Sequence, residues 1–256
     1  EDETFRAFKE CGASPELVHL KQFEGTVPER MRRRFDDYHL LAVPGGFSAG
    51  DYIRAGAIFA ARMKRFAKEI DDFVDAGKPV AGICNGFQVL VELGLLPGFD
   101  NRVRREPNAV LNLNDSARFE CRPVFMRMRS RGKCVFTSRY PPSVVVNMPV
   151  AHAEGKYMAA REEDLDRLEE NDQVVFTYTF PDGRPASPED YPHNPNGAQR
   201  SIAALCNDAG NVFGIMPHPE RVFEPEQHFD ARRRKRHVGD GRAMFESVLD
   251  YVTKRF

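Results

Sequence analysis

Apolar and polar positions follow one rhythm in the first part of the chain and another after residue 100. Short apolar runs at Leu40–Val43 and Val80–Ile83, bounded by glycine and proline, predict buried strands. Between them, Phe59, Met63, Phe66, Ile70 and Phe73 recur three and four apart, predicting a long helix over Ala55–Ala76. A second helix follows the second strand, with Phe87, Leu90 and Val91 on one face and a stop at Gly94. Ahead of these, Glu3–Cys11 predicts a helix closed by Gly12, Leu17–Leu20 a short strand, and Glu29–Arg34 a solvated helix face. Strand–helix alternation of this kind predicts an α/β fold, a three-layer open and mostly parallel sheet. Such a sheet usually begins with a strand, whereas this sequence opens on a helix, so a first strand is expected to be missing.

From Asn101 the pattern is that of strands joined by polar turns. Ala109–Leu113, Phe119–Met128, Cys134–Thr137, Val144–Val150 and Val174–Phe180 predict an additional antiparallel region, with one short helix at Leu165–Glu170. Pro185–Ala198 is rich in Pro, Asn and Gly and predicts a loop. Ser201–Cys206 and Val212–Met216 flank a polar turn and predict a hairpin. A helix at Gly241–Arg255 closes the sequence, with Phe245, Val248, Leu249 and Val252 on its buried face. No internal repeat is present, and 256 residues suit one domain over 1–256 with a sizeable core.

Composition narrows the function classes. Residues are 41% hydrophobic and 29% charged with a net charge of −1, an ordinary globular balance with no global field toward nucleic acid or membrane. No apolar run is long enough to span a bilayer, and Glu1-Asp2-Glu3 is unlike a signal peptide. The five cysteines are scattered and never in CxxC spacing, which argues against a zinc site or disulfide framework and for a cytoplasmic setting. The basic run Arg232–Arg236 stands alone, without interleaved aromatic residues, and reads as a solvated loop or a surface for a partner or a phosphate.

The candidate chemistry begins at Gly82-Ile83-Cys84-Asn85-Gly86, between a predicted strand and a predicted helix. Small residues two before and two after a nucleophile make a nucleophile elbow, here with cysteine in place of serine. The flanking glycines let strand and helix backbones approach closely, and the helix dipole favours a thiolate at that position. Cys84 needs a base. Pro217-His218-Pro219-Glu220 follows a predicted strand, and the prolines bias the backbone toward extended form, so His218 and Glu220 project to one side. A carboxylate beside an imidazole fixes its tautomer, and the two motifs together supply nucleophile, base and orienter.

Gly82–Gln88 and Gly214–Arg221 resemble the class I (triad) glutamine amidotransferases, in particular the glutaminase subunit or domain of phosphoribosylformylglycinamidine synthase. Pro44–Asp51, Arg118–Cys121, Pro149–Tyr157 and Asn194–Gly197 extend the resemblance over nearly the whole chain, in the family's order. The resemblance implies a three-layer α/β glutaminase that hydrolyses L-glutamine to glutamate and ammonia. It further implies a separate synthetase subunit or domain, with or without a small accessory subunit, where ATP and magnesium act on formylglycinamide ribonucleotide. No cofactor or metal is expected in this chain. By similarity, the backbone N–H groups of Gly46 and Asn85 form the oxyanion hole, Gln88 helps hold the substrate, and His152 lies at a substrate-facing strand end. Ala153 stands where family members often carry glycine. Two other functions fit the same residues: the glutaminase of another triad amidotransferase pathway, and a catalytically impaired partner-binding subunit.

Overall fold

The computed structural model describes residues 1–48, 50, 54–233 and 235–256. Ala49 and Asp51 of the expected loop motif and Arg234 of the basic run lie outside them. In order the elements are α1 (Asp2–Glu10), α2 (Leu20–Phe23), β1 (Leu41–Val43), α3 (Ala57–Met63), α4 (Ala67–Asp75), β2 (Val80–Ile83) and α5 (Asn85–Glu92). They continue with β3 (Ala109–Leu113), β4 (Glu120–Met128), β5 (Val145–His152), β6 (Glu154–Ala159), α6 (Glu162–Glu170), β7 (Val174–Thr179), β8 (Ile202–Cys206), β9 (Val212–Ile215) and α7 (Arg242–Arg255).

Seven strands form one sheet in the order β1-β2-β9-β8-β7-β4-β5, and β3 pairs with β6 in a second, antiparallel sheet. The α/β class and the added antiparallel region are as the pattern predicts. Parallel pairing is narrower than expected: it is confined to β1, β2 and β9, and the other four neighbouring pairs run antiparallel. The chain leaves the parallel half after β2, builds β4, β5, β7 and β8 as hairpin-like pairs, and returns to the centre with β9. The large sheet also curls. The His218 N–H donates to the Pro149 carbonyl at 2.8 Å, although β8, β7 and β4 separate β9 from β5 in the sheet.

Helix α5 lies on this sheet because two glycines make room for it. Gly82 of β2 and Gly214 of β9 are register partners. A Cβ on Gly214 would fall on the Phe87 ring, and one on Gly82 would come within 2.7 Å of the Leu90 side chain. Phe87, Val89, Leu90 and Val91 are in turn fully or almost fully buried. On the other face of β9, Phe213 stacks on Phe136 with ring centroids 5.0 Å apart. Elsewhere α1 and α7 meet edge to face through Phe8 and Phe245, centroids 5.0 Å apart.

Four sequence expectations change. Leu17–Leu20 is not a strand: the His19 side chain accepts from the Lys21 N–H and Gln22 caps the His19 N–H, so the segment turns into α2. The long helix is broken by a 3-10 turn at Lys64–Phe66 into α3 and α4. Cys134–Thr137 closes as a turn, with the Thr137 hydroxyl donating to the Cys134 carbonyl at 2.9 Å. Strand β6 is new. Its start, Glu154-Gly155-Lys156, has the polar, glycine-containing look of a turn.

Gly86 sits where α5 crosses the end of β1, and a Cβ there would overlap the Val43 carbonyl oxygen. Because that neighbour is backbone, Gly86→Ala is expected to destabilise the fold by about 3 kcal/mol or more, measured as a lowered urea midpoint.

Candidate active site

The tips of the three parallel strands converge. Beyond β1 the chain turns through Pro44-Gly45-Gly46, beyond β2 it reaches Cys84, and beyond β9 it reaches His218. Cys84 takes φ 51° and ψ −106°, a conformation that costs a non-glycine residue energy and is held here by the fit around it. Its N–H donates to the Ile215 carbonyl at 2.7 Å. On one side, a Cβ on Gly82 would come within 2.6 Å of the Gly86 carbonyl oxygen, so the elbow has no room for a larger residue. Gly45 passes against both partners: a Cβ there would lie 2.7 Å from His218 Cε1 and 3.4 Å from Cys84 Cβ.

His218 is extended (φ −105°, ψ 92°), but a 3-10 turn begins at Pro219, so Glu220 is not on a continuing strand. The turn carries the carboxylate back to the ring, and Glu220 Oε1 accepts from His218 Nδ1 at 2.6 Å. Both side chains are buried. This bond fixes Nδ1 as the protonated nitrogen in the neutral ring and leaves Nε2 for the sulfur. The Cys84 thiol is turned toward the Ala151 carbonyl, Sγ to O 3.5 Å, so no hydrogen bond to Nε2 is formed in this rotamer. The sulfur is nonetheless close enough to act on the imidazole. Burial pulls the His218 pKa down, but interaction with the Cys84 side chain and the hydrogen bond and charge of Glu220 outweigh it and carry it to about 9. The balance favours the imidazolium form of this ring.

A second buried histidine, His152 at the end of β5, is shifted the opposite way. Burial first, and then the charge of His218, push His152 down to about 3. Its Nδ1 lies 3.1 Å from Asn114 Oδ1, which also accepts the Gly155 N–H at 3.0 Å. The Asn114 amide nitrogen donates to the Arg118 and His152 carbonyls, both at 2.9 Å. Gly155 touches the His152 ring so closely that a Cβ would overlap it.

The remaining expected residues form the floor of the same region. Asn85 opens α5 and accepts the Ser48 hydroxyl at 2.6 Å, while its amide nitrogen donates to Gln88 at 2.8 Å. Gln88 donates to the Glu154 backbone carbonyl at 2.7 Å, so both ends of its carboxamide are engaged by the protein. Gly46 has φ +147°, and a Cβ there would meet nothing within 4 Å. Three residues of this floor carry roles that sequence reasoning did not give them. Glu154 takes the N–H groups of Arg54 and Ala55 at 3.0 and 2.7 Å, tying the start of β6 to the approach to α3. Asn196 donates to the Gly155 carbonyl at 2.8 Å and to the Tyr178 hydroxyl at 3.2 Å. Asn114 is the third. Glu154 and Asn196 lie inside motifs already singled out, but nothing local marks Asn114.

Among the described residues no group of three or more His, Cys, Asp and Glu is arranged to hold a metal ion. In the basic run, Arg236 pairs with Asp230 and Asp240, while Arg232, Arg233 and Lys235 are exposed. No helix of the described residues is long and apolar enough to cross a membrane.

An elbow cysteine, an adjacent imidazolium and a buried carboxylate are the parts of acyl transfer through a thioester. A family model described as a CobB/CobQ-like glutamine amidotransferase domain matches residues 1–252. The chain belongs to this glutamine amidotransferase family. Two curated relatives share the name phosphoribosylformylglycinamidine synthase subunit PurQ. That of Archaeoglobus fulgidus is 49% identical over 261 residues, covering 99% of this chain and 93% of the relative. That of Picrophilus torridus is 43% identical over 250 residues, covering 98% and 93%. Among solved structures, a chain of PurLQS from Thermotoga maritima aligns with TM-score 0.71 and 31% identity, covering 98% of this amidotransferase chain and 92% of that one.

The imidazolium state can be observed directly. In this amidotransferase the His218 ring is expected to titrate near pH 9 by NMR. Because Glu220 and Cys84 both raise it, Glu220→Gln and Cys84→Ala should each lower the midpoint; an unmoved midpoint would mean that neither group faces the ring.

Proposed function

We propose that this chain is the glutaminase subunit of phosphoribosylformylglycinamidine synthase. It hydrolyses glutamine to glutamate and ammonia and passes the ammonia to a synthetase partner. Near full-length similarity to PurQ chains supports the purine branch. The observation that carries the chemistry is the buried His218–Glu220 pair, with its Nδ1–Oε1 distance of 2.6 Å, set against the elbow cysteine.

The steps follow from these groups. The Cys84 sulfur, as its thiolate and turned from the Ala151 carbonyl toward the substrate, attacks the side-chain carbonyl carbon of glutamine and forms an S–C bond. Negative charge then develops on the carbonyl oxygen, and the backbone N–H groups of Gly46 and Asn85 are the proposed donors to it. His218, held as an imidazolium by Glu220, gives its Nε2 proton to the amide nitrogen, and the C–N bond breaks with release of ammonia. The ring, now neutral, takes a proton from water as the water oxygen attacks the thioester carbon. Glutamate leaves and the sulfur is restored. Gln88 is the proposed further contact to the substrate, and its bond to the Glu154 carbonyl holds the start of α5 against the start of β6.

The partner supplies the rest of the reaction. ATP and magnesium act in the synthetase, with or without a small accessory subunit, to convert formylglycinamide ribonucleotide to its amidine. Five free cysteines support a cytoplasmic setting.

The division of labour gives a direct test in the assembled complex. Cys84→Ala is expected to abolish glutamate release and glutamine-dependent amidine synthesis, while synthesis from added ammonium salt continues at the unmodified rate. Loss of both routes, or survival of glutamate release, would contradict the assignment.

A further inference from the structure

The protonation of His152 is fixed by backbone groups whose roles cannot be exchanged. Two carbonyls, of Arg118 and His152 itself, face one end of the Asn114 carboxamide, and the Gly155 N–H faces the other. Only one orientation of Asn114 gives both carbonyls a donor and the N–H an acceptor. Oδ1 therefore faces His152 Nδ1, which must carry the ring proton to bond to it at 3.1 Å. Nε2 is left as a bare lone pair. It is buried, in a residue only 3% exposed, and has no hydrogen-bond partner among the described residues.

Such an acceptor has a stated cost and a stated complement. Leaving a buried acceptor unpaired costs about 1–3 kcal/mol, and protonating the ring is no escape, because burial first and then the His218 charge oppose it. The complement is an N–H or O–H donor brought by a ligand. Within the glutaminase reading, on which this inference rests, the side chain of glutamine ends in two N–H donors, whereas the glutamate product ends in carboxylate oxygens that a lone pair repels.

We propose that His152 Nε2 is the specificity-determining acceptor for the amide N–H of the substrate, selecting carboxamide over carboxylate or ester. His152 directly follows Ala151, whose carbonyl faces the Cys84 sulfur at 3.5 Å, on the strand whose Pro149 carbonyl accepts the His218 N–H, so this acceptor belongs to the strand end that the nucleophile and the acid both face. Acting as an acceptor only, His152 orients the nitrogen without competing with His218 as an acid. Glutamate, once formed, meets the same lone pair with no proton to offer.

The test compares two substrates in the assembled complex, both read as glutamate release: glutamine, and glutamic acid γ-methyl ester, whose reacting carbonyl bears no N–H. His152→Asn keeps a donor toward Asn114 but removes the Nε2 acceptor; His152→Gln places a carboxamide oxygen near the Nε2 position. His152→Asn is expected to lower kcat/KM for glutamine by about 10- to 100-fold and to leave the ester nearly unchanged. His152→Gln is expected to recover part of the preference for glutamine. The ratio of the two rates within each variant cancels any loss of folded protein. A parallel fall on both substrates, or no fall on glutamine, would overturn the proposal. Cys84→Ala separates the two levels: if it still released glutamate from both substrates, the glutaminase reading itself would fail.

Discussion

The close approach of α5 to the strands beneath it is the constraint on which the site depends. Gly82 and Gly214 lie side by side in β2 and β9 and bear no side chains, so Phe87 and Leu90 settle directly over the sheet. Gly86 lets the first turn of the helix meet the end of β1 at its carbonyl. This seating leaves Cys84 a single backbone conformation, with φ 51°, and the burial of the helix face stabilises what the residue alone would disfavour. The geometry around the sulfur is thus a result of the packing between this helix and the sheet beneath it.

Curling of the sheet supplies the other half. Without it, β5 would end far from the parallel strands. With it, the His218 N–H reaches Pro149 and the sulfur reaches Ala151, so both motifs rest against the same edge strand. The two buried imidazoles of this region are driven in opposite directions: the Cys84 side chain and Glu220 favour the charged form of His218, while burial first, and then the His218 charge, disfavour it in His152, which has no carboxylate of its own.

Much of this was legible in the sequence, for physical reasons. The strands that carry Cys84 and His218 are short apolar runs with glycine and proline at their ends, and the elbow has a spacing that few other structures need. The carboxylate two residues after His218 was also readable, although a 3-10 turn rather than strand alternation delivers it. What could not be read depends on pairing across the chain. Asn114 acts on a residue 38 positions away. Strand β6 begins at a polar Glu-Gly-Lys whose partner, β3, is itself half-exposed, so no apolar alternation announces it. The break between α3 and α4 falls within an unbroken apolar stripe, which fixes the buried face of a helix but not its continuity. The added antiparallel region was expected, but which strands it would separate was not, since hydrophobic period does not encode neighbour order.

One feature of the topology bears on how the enzyme comes into being. The central pairing of β2 with β9 joins segments on either side of the whole antiparallel region. Closing so large a loop is slow compared with forming the hairpins inside it. As the chain leaves the ribosome, the sulfur emerges long before the imidazole that is to act with it. A partly folded or truncated product therefore carries a cysteine with no acid beside it, and ammonia release awaits the docking of a late central strand.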